Sequence, residues 1–456
     1  MLAACANRAQ HAVALYDAGD YAGAARAAQT GLADHPNDEA LWQMRVRAAL
    51  AQGDAAGLGK AYAGYRAAIA GDDDRPLLRE LAIATLGQAL ASPSAVLKLT
   101  AIEAIATAEL QPLADQVAER MTDDDDRVAA AAAIAILHAY AQAPQVAGDL
   151  LKSEDAEARR IAVDGIGQKV GKFALADLET AAADPDPKVR RAAIHWLGEL
   201  EDGAAAGLLA KAVRDPAPAV RAAAASALAK LGPGPAASPA QLVELARHAL
   251  RDEALAVRLA GIELWAASRS PTLHGDLVAL IDDPDPLVAA QAALAAGGGE
   301  LTQKPIERAA AAADWTTRAG AANLAIRALG KSAALAIARK LAGDSELAVR
   351  LAAARVLVHA GDPAAAIAIF VAGLASPDEQ LQAAIDLAAQ GDERGPQALD
   401  AAIRDPASKP TARAAAAAAH RTAHRITPGL VAALADPSAI VRVAAAAAVA
   451  VIVKHD

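Results

Sequence analysis

The chain has 456 residues, 55% hydrophobic but only 2% aromatic, and a formal charge of −10. Ala supplies much of the apolar content, which excludes a thick core of large side chains and requires helices that approach closely and repeatedly along the chain. The interspersed, net acidic charge excludes the basic stripe of a nucleic-acid binder, and no apolar run reaches the ~18–20 residues that cross a bilayer.

In chain order, the first feature is Cys5, the sole cysteine, which excludes a disulfide framework or a cysteine-rich metal site. Leu2-Ala3-Ala4-Cys5 resembles a bacterial lipobox, in which the cysteine carries a lipid. The basic start and apolar stretch of a complete signal are missing. Two readings therefore stand. Met1 is internal to a longer precursor and Cys5 is a lipid anchor at a bacterial cell envelope, or the match is an accident of an Ala-rich sequence and the protein is cytoplasmic. A first repeat that aligns from Cys5 favours the anchor.

Residues 5–70 show self-similarity at helix–turn–helix length. Leu15-Tyr16-Asp17-Ala18-Gly19-Asp20-Tyr21, then Ala24, Leu32 and Pro36, are followed by a second unit with Trp42, Gly53-Asp54 and Tyr62. The Gly-Asp turns lie 34 residues apart. These units resemble tetratricopeptide repeats, with Tyr21 packing the second helix and Pro36 ending it. Residues 71–90 read as a connecting helix.

From residue 91 to 456 a different phrase recurs: Asp, a turn often holding Pro, then Val-Arg and an Ala-rich run. Its clearest copies are Asp184 to Arg190, Asp215 to Arg221, Asp252 to Arg258, Asp344 to Arg350 and Asp436 to Arg442. Lys98, Ala129, Arg159, Ala289, Arg318, Gln382 and Arg413 hold the Arg position in weaker copies, with steps of 29 to 32 residues and one of 37. The long step contains Gly232 to Pro239, a loop insertion. The acidic run Asp123 to Asp126 reads as a solvated turn, and Val128–Leu137 and Val443–Val453 as second helices of repeats. The Asp, replaced by Ser92 and Ser376 in two copies, is placed to cap free backbone N–H groups. Proline in a first turn costs no hydrogen bond. An Arg at a fixed place with a fixed Asp upstream is what a hydrogen-bonded pair between repeats requires.

This ladder resembles the HEAT-repeat family, in a short form of ~30 residues also seen in phycobilisome-lyase-type repeats. The resemblance implies an all-α fold, a right-handed α–α superhelix (α-solenoid) of about twelve stacked antiparallel helix pairs. It also implies that the second helix of each pair lines a concave surface.

No His-Glu-x-x-His, nucleophile elbow or phosphate loop is present, Gly297 to Gly299 reads as a helix stop, and no cofactor, metal or catalytic residue is expected. The residue six after the Val should face away from neighbouring layers: Glu103, Ile134, Asp164, His195, Ser226, Glu263, Leu294, Asn323, Arg355 and Leu387. Arg160 and Arg191 lie one turn earlier on that face. A varied row on a monotonous repeat predicts a partner-binding groove centred on Arg160, Asp164, Arg191, His195 and Glu263. The bland alternative is an ordinary solvated helix face. Trp196 and Trp265, near the same row, read as core. The last helix is apolar on its outward side, to meet a partner or second copy, or simply as small Ala faces tolerated in water. The expected function is an elongated, non-catalytic scaffold that binds protein. The alternative is an accessory lyase-like enzyme acting on a chromophore-carrying or other protein.

Overall fold

In a computed structural model the backbone is described for residues 2–53, 55–69, 74–234, 237–270 and 273–454, without the side chains of 2–7, 55, 56, 59, 273, 274 and 276. Cys5 therefore lies outside the described side chains. The described residues are α-helices joined by short turns, with one isolated β-bridge, Gly234 to Ala237, in the predicted insertion. The described residues form an all-α fold of stacked helix pairs. It divides into two compact units, Met1–Val128 with Gln380–Asp456, and Ala129–Glu379.

The second unit, Ala129–Glu379, shows the repeat most plainly. Its long helices Ala156–Val170, Pro187–Glu199, Pro218–Leu231, Leu255–Ala267, Pro286–Ala295, Trp315–Ala328 and Leu347–Ala360 stack each on the next. Several alternate with first helices of only seven residues, such as Leu175–Ala181 and Ala206–Ala212. Pro187, Pro218 and Pro286 open their helices, where a missing N–H costs nothing. The core is built of Val, Leu, Ile and many Ala, with close approach where a Cβ is absent. A methyl on Gly198 would lie 2.6 Å from the Ala227 Cβ of the next helix.

The Arg ladder is structural, as its spacing implies. Arg159 holds Asp184, Arg190 holds Asp215, Arg221 holds Asp252 and Arg318 holds Asp344, each through Nε and Nη2 at 2.6 to 2.9 Å. Each Nη1 donates back to two carbonyls of its own turn, Asp184 and Pro185 in the case of Arg190. The Arg221–Asp252 pair survives the insertion at a separation of 31 residues, where the two preceding pairs span 25. The Asp differs from expectation: its carboxylate holds the N–H two residues on, as at Asp186 and Ala217, an Asx-type turn. Helix capping passes to a later residue where there is one, such as Asp155, Asp186 or Asp285.

In the first unit the chain opens with α1 (Leu2–Asp17), α2 (Tyr21–Asp34), α3 (Glu39–Ala51) and α4 (Ala55–Ala68), followed by α5 (Arg75–Leu90) and α6 (Ala95–Ala108). Tyr21 is exposed and leans on Tyr16, with ring centroids 5.1 Å apart. The acidic turn is not fully solvated. Asp123 is half-buried, with its side chain 6% exposed, and takes a hydrogen bond from Lys98 Nζ at 2.7 Å, the ladder pair of this repeat, while Asp125 pairs with Arg127.

The C-terminal helix, Ala439–Lys454, departs furthest from the sequence expectation. Val441, Val449, Ile452 and nearly every residue between are buried. It stacks on helix Pro410–Ala423 as a repeat should, and its other side packs against α5 and α6. Lys454 Nζ donates to the Thr107 carbonyl at 3.1 Å and pairs with Glu109 at 3.0 Å, closing the C-terminal end of α6. The face expected to be open to water or a partner is covered by α5 and α6 of the same chain.

Candidate functional site

The predicted groove residues all belong to the second unit. Asp164 lies on Ala156–Val170, six residues after Ala158, so the helical period carries it to the side opposite the buried Ala158 and Ala162. His195, Ser226, Glu263 and Asn323 repeat that placement on later helices, and all four are exposed. At one end of the predicted row the placement fails. Leu387 is fully buried, because helix Gln380–Ala389 is rotated by one position, and Asp386 with Gln382 takes the polar side instead.

Arg160 and Asp164 come together directly, and His195 adjoins them only through Trp196. Arg160 Nη1 donates to Asp164 Oδ2 at 2.5 Å, and its other nitrogens hold Glu157 at 2.6 and 2.9 Å. From the next helix the Trp196 indole N–H donates to Asp164 Oδ1 at 3.0 Å. The His195 ring meets the Trp196 ring edge-on at 5.2 Å. Room for the indole comes from Gly167, where a Cβ would lie 2.3 Å from Trp196 Cγ. Glu263 belongs to a second cluster, accepting from Ser226 Oγ at 3.3 Å, and Arg191 stands exposed on the same helix as His195. Neither makes a hydrogen bond or ion pair with the other three among the described residues.

Two participants were not assigned to the row in the sequence. Trp196 is half-buried and bridges repeats through its N–H, so it is not simply core; Trp265 is core, 5% exposed, with Arg247 over its ring at 5.5 Å. The second is the rung between Lys230 and Glu199, at 2.5 Å. Hydrogen bonding by Lys230 holds the Glu199 carboxyl below its ordinary range. The signal for Trp196 was available in Gly167, since a glycine inside a helical pattern marks close approach.

Chemically, this surface offers charge, hydrogen-bond donors and acceptors, and one aromatic edge. An Asp–His–hydroxyl cluster does occur in the first unit, but it is sealed. Asp400 accepts from Thr427 Oγ1 at 2.5 Å and from the Gly429 N–H at 3.0 Å, with His420 Nε2 3.3 Å away, all of them buried. Burial alone would raise the Asp400 pKa, yet His420, Thr427 and the Gly429 amide hold it below the usual carboxylate range. The cluster joins helix Arg394–Arg404 to Pro410–Ala423 and Pro428–Ala433 within the packing of the first unit.

A family model of HEAT repeats matches residues 144–228 and 175–260. Among solved structures the chain is similar to the complex of CpcE and CpcF of phycocyanin lyase from Nostoc sp. PCC7120. There the identity is 21%, covering 50% of this chain and 94% of that one, with a TM-score of 0.36. Human deoxyhypusine hydroxylase is similar at 21% identity, covering 52% and 91%, with a TM-score of 0.27. Kap121p is similar at 16% identity, covering 80% and 48%, with a TM-score of 0.34. A search of curated proteins finds no match.

Proposed function

We propose that this HEAT-repeat protein is a non-catalytic scaffold that holds a protein partner along the row of Arg160, Asp164, Arg191, His195 and Glu263. One observation carries the reading. The ladder arginines are spent on aspartates and turn carbonyls between repeats, whereas Arg191, His195 and Glu263 are exposed and charged or titratable, and the outward position of His195 and Glu263 varies along the chain from Asp164 to Ser226 to Asn323. Packing does not require that variety, and recognition does. The Arg160–Asp164–Trp196 bridge fixes the geometry of the row across two repeats, so a partner meets a surface that is already ordered.

The test is a crosslinking pull-down from native extract with wild type and with a variant carrying Ala at all five positions, followed by reconstitution with the purified partner. A partner bound by wild type and lost by the variant supports the row. The same partner on both removes it. The anchor reading of Cys5 is part of this proposal, placing the scaffold at a bacterial envelope, and the intact mass of the native protein decides it. A chain beginning at an unmodified Met1 is the opposing result.

A further inference from the structure

Inside the first unit, an apolar cavity of about 450 Å³ lies between α4 and the short helix Pro428–Ala433, a size within the ~300–1,000 Å³ of small-molecule sites. Its body is formed by Leu58, Leu81, Val431 and Leu434, with Ala63 and Ala432 exposed at its edges. Two features set it apart from a packing defect. Tyr62 lines it and is 6% exposed, yet its hydroxyl has no hydrogen-bond partner among the described residues. Arg66, one helical turn on from Tyr62, lines it too and is exposed. The two groups sense each other: burial pushes the phenol up to about 12, and the Arg66 charge works against that rise.

We propose that this cavity binds a linear aliphatic carboxylate. The alkyl chain would lie on the Leu and Val walls, and the anionic end on the Arg66 and Tyr62 side. An apolar interior with one cationic residue among its described lining is complementary to an apolar body with one anionic end. A neutral chain would satisfy only half of it, and a polar metabolite would leave the Leu and Val surfaces unmatched. The site is independent of the scaffold row, so each reading stands or falls separately.

The probes are decanoate, decan-1-ol and decylamine, titrated calorimetrically into the intact chain. Decanoate should bind saturably at one site, and more tightly than the alcohol or the amine. Arg66→Gln should weaken decanoate by about tenfold and leave decanol unchanged. Ala63→Trp and Ala432→Trp, both at exposed edge positions, should each remove binding while the helical circular dichroism is retained. No saturable binding of decanoate, or undiminished binding in both Trp variants, overturns the site. Decanol binding as well as decanoate, with no effect of Arg66→Gln, overturns the anionic ligand and points to an apolar protein segment or an esterified lipid chain as occupant.

Discussion

Arg190 joins two repeats at once: Nε and Nη2 hold the Asp215 carboxylate at 2.8 Å each, while Nη1 lies 2.8 Å from the Asp184 carbonyl of its own turn. Removing the side chain strips a half-buried carboxylate of its partner and frees a turn. Between exposed and buried ion pairs, a loss of about 2 kcal/mol is the expected scale for Arg190→Ala. Arg190→Lys should recover little of it, because an ammonium cannot reproduce the planar fork. Denaturant titration measures this, and a loss below ~0.5 kcal/mol would show the ladder to be ornamental.

Acid should loosen the stack in a defined window. Hydrogen bonding from Arg221 holds Asp252, and that from Arg318 holds Asp344, below the usual carboxylate range. At Asp184 and Asp215 burial pushes the other way, and is outweighed by Arg159 and Arg190 together with the turn amides. A depressed folded pKa means stability that is complete above the unfolded value of ~3.9 and lost as pH falls through the lower folded values. The melting temperature should therefore stay level from neutral pH to about 5 and drop below about 4. A steep fall between pH 7 and 5 would contradict this assignment.

The buried C-terminal helix predicts an effect at long range. Val449 is fully buried, so Val449→Asp places a charge in the core at a cost of at least ~3 kcal/mol. Hydrogen-exchange protection should be lost in α5 and α6 as well as locally. Lys454→Ala removes a partly exposed pair and should cost less than ~1 kcal/mol. If α5 and α6 stay protected in Val449→Asp, they do not depend on that helix.

Gly167→Ala should disturb the row without touching its charges. The new methyl would come within 2.3 Å of Trp196 Cγ, so the indole must move and its bond to Asp164 is strained or broken. Overpacking of this kind costs about 1–3 kcal/mol. A shift in Trp196 emission, isolated by comparison with Trp196→Phe, reports the movement. Unchanged emission would mean that the helices separate instead.

The repeat architecture was legible because its cause is local. A Val-Arg step after an Asp turn returns at nearly constant spacing, and the pairs Arg159–Asp184 and Arg413–Asp436 follow from it. The outward row was legible where the period held and failed at Leu387, where the helix turns by one residue. Trp196 was misjudged in part, since its partner Asp164 lies 32 residues away and only its indole edge is polar. The burial of the last helix was not legible at all. Its contact with α6 joins residues 347 apart, and an Ala-Val helix carries no mark that distinguishes an open face from one that is covered.

That contact changes the order in which the chain can mature. Stacked repeats ordinarily fold as they leave the ribosome, each on the one before. Here α5 and α6 emerge early, and the helix that covers them is made some 347 residues later. At ~5–20 residues per second, their apolar sides wait for roughly 20 to 70 seconds. During that time they are substrates for holdases, and a chain terminated early never buries them. Stop codons or proteolysis anywhere before Ala439 should thus be felt first at the opposite end of the polypeptide.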